Sequence, residues 1–327
     1  PRVGAVVGTP PISPVRPHRV AAARLVGRHT WGIEAINVPA VWEEGLTGRG
    51  VLVGHLDTGV DAAHPTLRGA VRAFAEFDRL GRQVRPAPRP HDTDDHGTHT
   101  AATIAGREVR GRAVGVAPGA ELACAIVIEG GDVVARVLGG MDWAVGQGVR
   151  VLSMSLGFRG WWEDFRPLVR LLRARNVLPV FAVGNEGPGT SRSPGNYPEA
   201  LSVGAADRPG RVADFSSSQR FRRRFDPVVP DLVAPGMDVI SARPGGGYQA
   251  MDGTSMATPH VAGLAALLWE AKPEATETQI ERAILRSCIL PPDVSADRAG
   301  RGIPDAVRAL DILLKRGPAR RETGRSG

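Results

Sequence analysis

The sequence predicts an α/β fold in three layers, a mostly parallel central sheet flanked by helices. Two observations predict it. Short apolar runs alternate along the chain with longer stretches of helical period. The runs tend to end in a polar residue or a glycine, as buried parallel strands do when they deliver the chain to a crossover helix.

The elements follow in order. Val51 to Leu56 is continuous and largely apolar, the pattern of a strand covered on both faces, and Asp57 ends it. The small-residue segment DDHGTHTAATIAG (94–106) reads as a helix that opens near His96 and Gly97. Asp132 to Gln147 reads as a helix with Val133, Val137, Met141 and Trp143 among its apolar positions. Val149 to Leu156 is the next strand, Glu163 to Arg175 an amphipathic helix, and Val177 to Val183 a further strand ending in Gly184 and Asn185. The run GTSMATPHVAGLAALLW, Gly253 to Trp269, begins with a glycine–threonine turn and continues as an apolar helix. Ser255 stands at its head, hydroxyl outward, beside the free N–H groups of a helix start.

Composition bounds the function. A hydrophobic share of 42% is ample for a core in a chain of 327 residues. The run Val261 to Trp269 is too short to span a bilayer. Net charge is +7 and the sequence pI about 10.5. Lysine occurs only at Lys272 and Lys315, so the excess is arginine. A spread, solvated arginine surface accounts for this better than a nucleic-acid partner, since no binding motif accompanies it. The densest patch, Phe221 to Phe225, is expected to be an exposed loop. Cys124 and Cys288 make no disulfide framework and read as buried free thiols.

Four polar residues at predicted strand or helix ends could form one site. Asp57 either orients an imidazole or caps its own turn. His96 is the candidate base, whereas His99, a turn further into the helix, reads as a packed, hydrogen-bonded histidine. Asn185 either donates to an oxyanion or accommodates a left-handed turn. Ser255 is the candidate nucleophile.

Taken together, these segments resemble the subtilase family. The motifs are LDTGVDAAHP (56–65), HGTHTA (96–101), AVGNEG (182–187) and GTSMATPHVAG (253–263), in the Asp, His, Ser order of that family. GVAPGAEL (115–122), VLSMSLG (151–157), DLVAPG (231–236) and GRGIPDAVRAL (300–310) extend the likeness, so that it covers residues 30–314. The resemblance implies a subtilisin-like three-layer fold and a serine endopeptidase: Ser255 as nucleophile, His96 as base, Asp57 as orienter, Asn185 as oxyanion donor. It places a peptide strand between Ser155-Leu156-Gly157 and Gly130-Gly131, over a side-chain pocket walled by Ala182, Val183 and Gly184. Arg192 falls where the family has a small residue at the pocket base. It either favours an acidic substrate side chain or, the reading preferred, faces outward. Trp161 and Trp162 either line a subsite or pack on the next helix.

Residues 1–29 are expected to be an N-terminal arm or propeptide remnant, 30–314 the catalytic domain, and 315–327 a mobile basic tail. The family's calcium site is expected to be lost, because Thr66 and the loop Arg107 to Arg112 replace its ligands and Arg–Glu108 pairing supplies the charge. No cofactor is expected and no metal at this site; calcium elsewhere is left open. The expected partners are a peptide or protein substrate and a propeptide, with no nucleic acid, no membrane span and a monomeric chain. The compartment is left open, with the family leaning to secretion. A substrate-restricted processing protease has the same signature. A non-catalytic binding module would lack a triad residue, and an α/β-hydrolase esterase would carry a GxSxG elbow and a different order.

Overall fold

The computed structural model describes residues 13–14, 17–128, 133–224 and 226–315. Its centre is a seven-stranded sheet. In chain order the strands are β1 (Leu52–Asp57), β2 (Val71–Glu76), β3 (Glu121–Ile126), β4 (Val151–Met154), β5 (Leu178–Ala182), β6 (Leu201–Ala206) and β7 (Leu232–Pro235). They lie in the order β7-β6-β5-β4-β1-β3-β2, every pair parallel. Asp57 is level with Ile126 on one side of β1, and Leu56 with Met154 on the other.

Alternate strand residues feed two cores, as a period of two requires. Val53, Leu122, Cys124, Val151, Val180 and Val203 face one layer. It holds helices α1 (His96–Ala105), α4 (Thr254–Ala271), α5 (Glu277–Ser287) and α6 (Ala306–Leu314). Leu52, Leu56, Ala125, Leu152, Met154 and Phe181 face the other, under α2 (Val133–Gly146) and α3 (Arg166–Ala174). This is the predicted three-layer α/β arrangement. Among the described residues no helix is long and apolar enough to cross a membrane.

Two predicted elements divide. The strand expected over 149–156 leaves the central sheet at Ser155; Leu156–Arg159 then pairs antiparallel with Arg192–Ser193 instead. The helix expected over 163–175 begins as a 3₁₀ turn, Glu163–Phe165, and becomes α-helical at Arg166, with Pro167 in the first turn where its missing N–H costs nothing.

Helix α4 is buried from Thr254 to Trp269 and carries Pro259 within it. Proline has no N–H for the carbonyl four residues back, here that of Ser255. The Ser155 hydroxyl takes that place, donating to the Ser255 carbonyl at 3.0 Å. Cys124 is the buried free thiol expected, and burial raises its pKa; Cys288 is free but only partly buried.

The N-terminal stretch contributes two strands. Ser13–Pro14 pairs antiparallel with Gly157 and Leu156. Arg19–Ala23 pairs with Tyr248–Asp252, which also pairs with Val239–Ala242. The tail expected over 315–327 lies, apart from Lys315, outside the described residues.

Candidate active site

Open parallel sheets present ligand sites at the carboxyl ends of their strands, and the four predicted residues gather there. Asp57 is the last residue of β1, His96 the first of α1, Asn185 lies just past β5, and Ser255 is the second residue of α4.

The Asp57–His96 pair is built tightly. His96 Nδ1 donates to Asp57 Oδ1 at 2.6 Å, and the Thr58 N–H donates to the same oxygen at 2.8 Å. The Thr100 hydroxyl, one turn along α1, lies 3.3 Å from Oδ2 and 2.8 Å from His55 Nε2. Gly97 makes this approach possible. A Cβ there would stand 2.2 Å from the Gly59 carbonyl oxygen, so any side chain would push the helix off the strand end.

Electrostatics fix the charges. Burial works against ionisation of Asp57, but the imidazole beside it and the Thr58 N–H hold its carboxyl below the usual range. Burial likewise works against a charged His96; the facing carboxylates of Asp57, Asp92 and Asp94 outweigh it and raise its pKa above the ordinary 6.5. His55, one strand position pair before Asp57, is pushed down to about 4 by burial and stays neutral. His99 is a packed, hydrogen-bonded histidine: buried, with Nε2 2.9 Å from the Val239 carbonyl oxygen and its pKa lowered to about 3 by burial.

The Asn185 side chain is oriented by the helix start. Its Oδ1 accepts from both the N–H and the hydroxyl of Thr254, each at 2.9 Å. That turns the amide nitrogen toward Gly253, where a Cβ would lie 3.2 Å from Nδ2. Ser255 Oγ lies 3.4 Å from the Ser155 carbonyl oxygen. The hydroxyl was expected to face outward, yet Ser255 is fully buried. His96 Nε2 makes no hydrogen bond among the described residues. Such bonds commonly tighten only around substrate.

The chain itself runs over this cleft. Ser13–Pro14 occupies the edge at Leu156 and Gly157 that was expected to take a peptide. His18 stacks on Phe215 with centroids 4.5 Å apart, and its Nε2 is 3.1 Å from the Asn185 carbonyl oxygen. The opposite edge, Gly130 and Gly131, lies outside the described residues.

Ala182 and Gly184 lie where β5 ends, beside the loop that carries Arg192. The outward orientation preferred for Arg192 is wrong. Its residue is only 4% exposed; Nε donates to Glu186 Oε1 at 2.9 Å and an η nitrogen to the Gly157 carbonyl oxygen at 3.0 Å. Gly184 has φ +118, and a Cβ there would crowd both Glu186 and Arg192. Burial opposes Glu186 ionisation, but Arg192 and Arg159 keep its pKa low. The 221–225 loop is likewise not wholly exposed. Arg223 lies over the rings of Phe221 and Trp161 and donates to the Asn196 carbonyl oxygen at 2.9 Å; Phe225 is outside the described residues. Trp161 meets Tyr197 edge-on at 5.1 Å, whereas Trp162 packs toward Phe158 and the α3 layer.

The calcium position fails a fit test. Thr66 is buried, its hydroxyl engaged with His64 Nδ1 at 2.9 Å. Arg107 places its guanidinium on the carbonyl oxygens of Gly69, Pro118 and Ala120. Carbonyls facing an arginine are not facing an ion. The expected Arg–Glu108 pairing is not among the ion pairs of the described residues.

Sequence reading missed Thr58, Thr100 and Asp92, whose carboxylate accepts from both Thr58 and Thr98. The only signal was the acidic run before His96.

The sequence model of the Subtilase family, peptidase S8, matches residues 48–308. Subtilisin Savinase of Lederbergia lenta is 39% identical over 252 residues, 76% of this chain and 87% of that protein. M-protease of Shouchella clausii is also 39% identical over 252 residues, but this chain spans only 62% of its length. An intracellular serine protease of Paenibacillus polymyxa is 37% identical over 283 residues, 84% of this chain and 80% of the relative. The chain belongs to the Subtilase family, peptidase S8, and so to a family of serine endopeptidases.

Proposed function

We propose that this chain hydrolyses peptide bonds through a covalent acyl-enzyme. Ser255 Oγ attacks the scissile carbonyl carbon while His96 Nε2 takes its proton. Asp57 holds the imidazole in the tautomer that leaves Nε2 basic, and stabilises the imidazolium. The Asn185 amide and the Ser255 N–H hold the oxyanion. The C–N bond breaks as His96 returns the proton to the amine, and water then releases the acid by the same route. The observation that carries this reading is the 2.6 Å bond from His96 to the buried Asp57, on the strand next to the one that leads into Ser155, whose hydroxyl holds the Ser255 carbonyl. Ser255→Ala should abolish fluorophosphonate labelling and peptide cleavage with the fold intact; a labelled variant would mean another nucleophile.

The substrate backbone is proposed to add as a strand along Leu156 and Gly157, which supports a peptide or protein substrate. Ser13–Pro14 already pairs there, so the N-terminal arm is proposed to act as an internal occupant, in the manner of a propeptide. A chain beginning at Arg19, checked by circular dichroism for an unchanged fold, should cleave peptide anilides at least tenfold faster than the full chain. A synthetic peptide of residues 10–18 should inhibit it. Equal rates for both forms would show that the arm does not obstruct the cleft. One chain supplies every group named, so the active unit is proposed to be a monomer.

A further inference from the structure

The short loop His91–Thr93 crosses the end of β1. The Val60 N–H donates to the His91 carbonyl at 2.9 Å, and the Thr93 N–H to the Thr58 carbonyl at 3.0 Å. This sets the half-buried Asp92 carboxylate between the two triad-bearing segments. Oδ1 accepts from the Thr58 hydroxyl at 2.7 Å and the Asp94 N–H at 3.2 Å. Oδ2 accepts from the N–H of Thr98 at 2.6 Å and its hydroxyl at 2.5 Å. Thr58 Oγ1 in turn accepts from the Gly97 N–H at 2.9 Å. Thr58 follows Asp57 directly, and Gly97 and Thr98 follow His96. One carboxylate thus ties the residue after the proposed orienter to the residues after the proposed base.

We propose that Asp92 is a positioning residue for the reaction: it clamps the end of β1 to the start of α1, fixing the Asp57–His96 bond, and presents a negative charge to the imidazole. This rests on the proposed roles of Asp57, His96 and Ser255. A bystander acid at a helix start would interact with the helix dipole alone. Asp92 instead reaches the neighbouring strand end through Thr58, a link the dipole does not need. The groups whose charges bear on His96 are Asp57 on β1, Asp92 and Asp94 in the loop, and the buried histidines His55 and His99. Both histidines are neutral near pH 7, so the three carboxylates set the sign. Removing one anion lowers the pKa of His96.

The test uses the full chain and a readout independent of turnover. The low-field proton resonance of the His96 Nδ1–H bond is followed with pH, together with kcat and KM on a peptide anilide. Asp92→Asn keeps size and an acceptor but loses the charge. Its titration midpoint should fall by roughly half a pH unit, and kcat should fall about tenfold with KM within twofold. An unchanged midpoint and kcat, with only a lower Tm, would make Asp92 a structural cap and overturn the proposal. Thr58→Val cuts the links to both Asp92 and Gly97 while leaving the Asp92 carboxylate in place. It should lower kcat without moving the midpoint, and it decides the clamp should Asp92→Asn not fold; parental kcat in Thr58→Val overturns it. Ser255→Ala keeps the two failures apart. Persistent labelling there would sink the triad itself, whereas lost labelling beside a silent Asp92→Asn would sink only the Asp92 role.

Discussion

The hydroxyl of Ser155 donates to the carbonyl oxygen of Ser255 at 3.0 Å, the position that Pro259 leaves without a helical donor. The edge proposed to bind peptide and the helix of the proposed nucleophile are thereby joined through a gap that proline creates. Ser155→Ala should strand a buried carbonyl and lower stability by about 1–3 kcal/mol, with a smaller kcat because Ser255 loses its anchor. Urea unfolding and steady-state kinetics read this; a parental midpoint would show that another group satisfies the carbonyl.

Asn185→Leu should lower kcat by about 10²–10³-fold with little change in KM, a magnitude borrowed from an oxyanion donor in another member of this family. In its proposed role the amide acts on charge that exists only in the transition state. A loss expressed wholly as weaker substrate binding would contradict the role.

Activity should rise with pH through a midpoint above the ordinary histidine value of 6.5. Burial lowers the His96 pKa, the facing carboxylates more than offset this, and the raised net value keeps the base protonated longer as pH increases. The same shift has a stability sign: the contribution is complete below pH 6.5 and is lost as pH climbs through the folded value. A kcat/KM profile with its acid limb near pH 5 would refute the electrostatic assignment.

Arg192→Gly should widen the proposed side-chain pocket. Arg192 is already paired with Glu186, so the parent pocket is expected to favour small substrate side chains over acidic ones, and the variant larger apolar ones. Glu186 loses its main partner and remains partly buried, so stability should fall, most clearly above pH 4.5 where its carboxylate is charged. Peptide-library profiling checks the first claim. A strong acidic preference in the parent would show that Arg192 acts on substrate despite Glu186.

Arg107→Ala should cost about 2–3 kcal/mol, since three backbone carbonyls lose a charged donor. Chelator should leave the Tm of the parent unchanged at this site. A large chelator-induced drop that Thr66→Ala removes would establish an ion there after all.

Strands β1, β4 and β5 were readable as apolar runs, whereas β2, β3, β6 and β7 were not read as strands; Asp57, Asn185 and Ser255 announced themselves by ending a strand or opening a helix. His96 was separable from His99 by its place in the motif; both are buried, but His96 bonds the Asp57 carboxylate and His99 the Val239 carbonyl. Other features depended on tertiary partners. The burial of Arg192 needs Glu186 six residues earlier and Gly157 across a strand pair. The Asp92 carboxylate lies in an acidic run, and nothing local says which acid turns inward. The Ser155–Ser255 link needs a proline whose effect falls four residues away. Gly130 and Gly131 lie outside the described residues and are still a proposal.

The arm has two unequal parts. Arg19–Ala23 is hydrogen-bonded along five residues to Tyr248–Asp252, whereas in the outer part Ser13–Pro14 is, among the described residues, paired over two. If the protease trims itself or is trimmed between them, the outer fragment loses its covalent tether, while the inner strand stays as a built-in third strand of its sheet. While the arm is intact, that inner strand tethers the outer part at high effective concentration, so one cut changes an intramolecular competitor into a dilute one. Maturation would then behave as a dilution step, irreversible in practice though no bond in the folded body has changed.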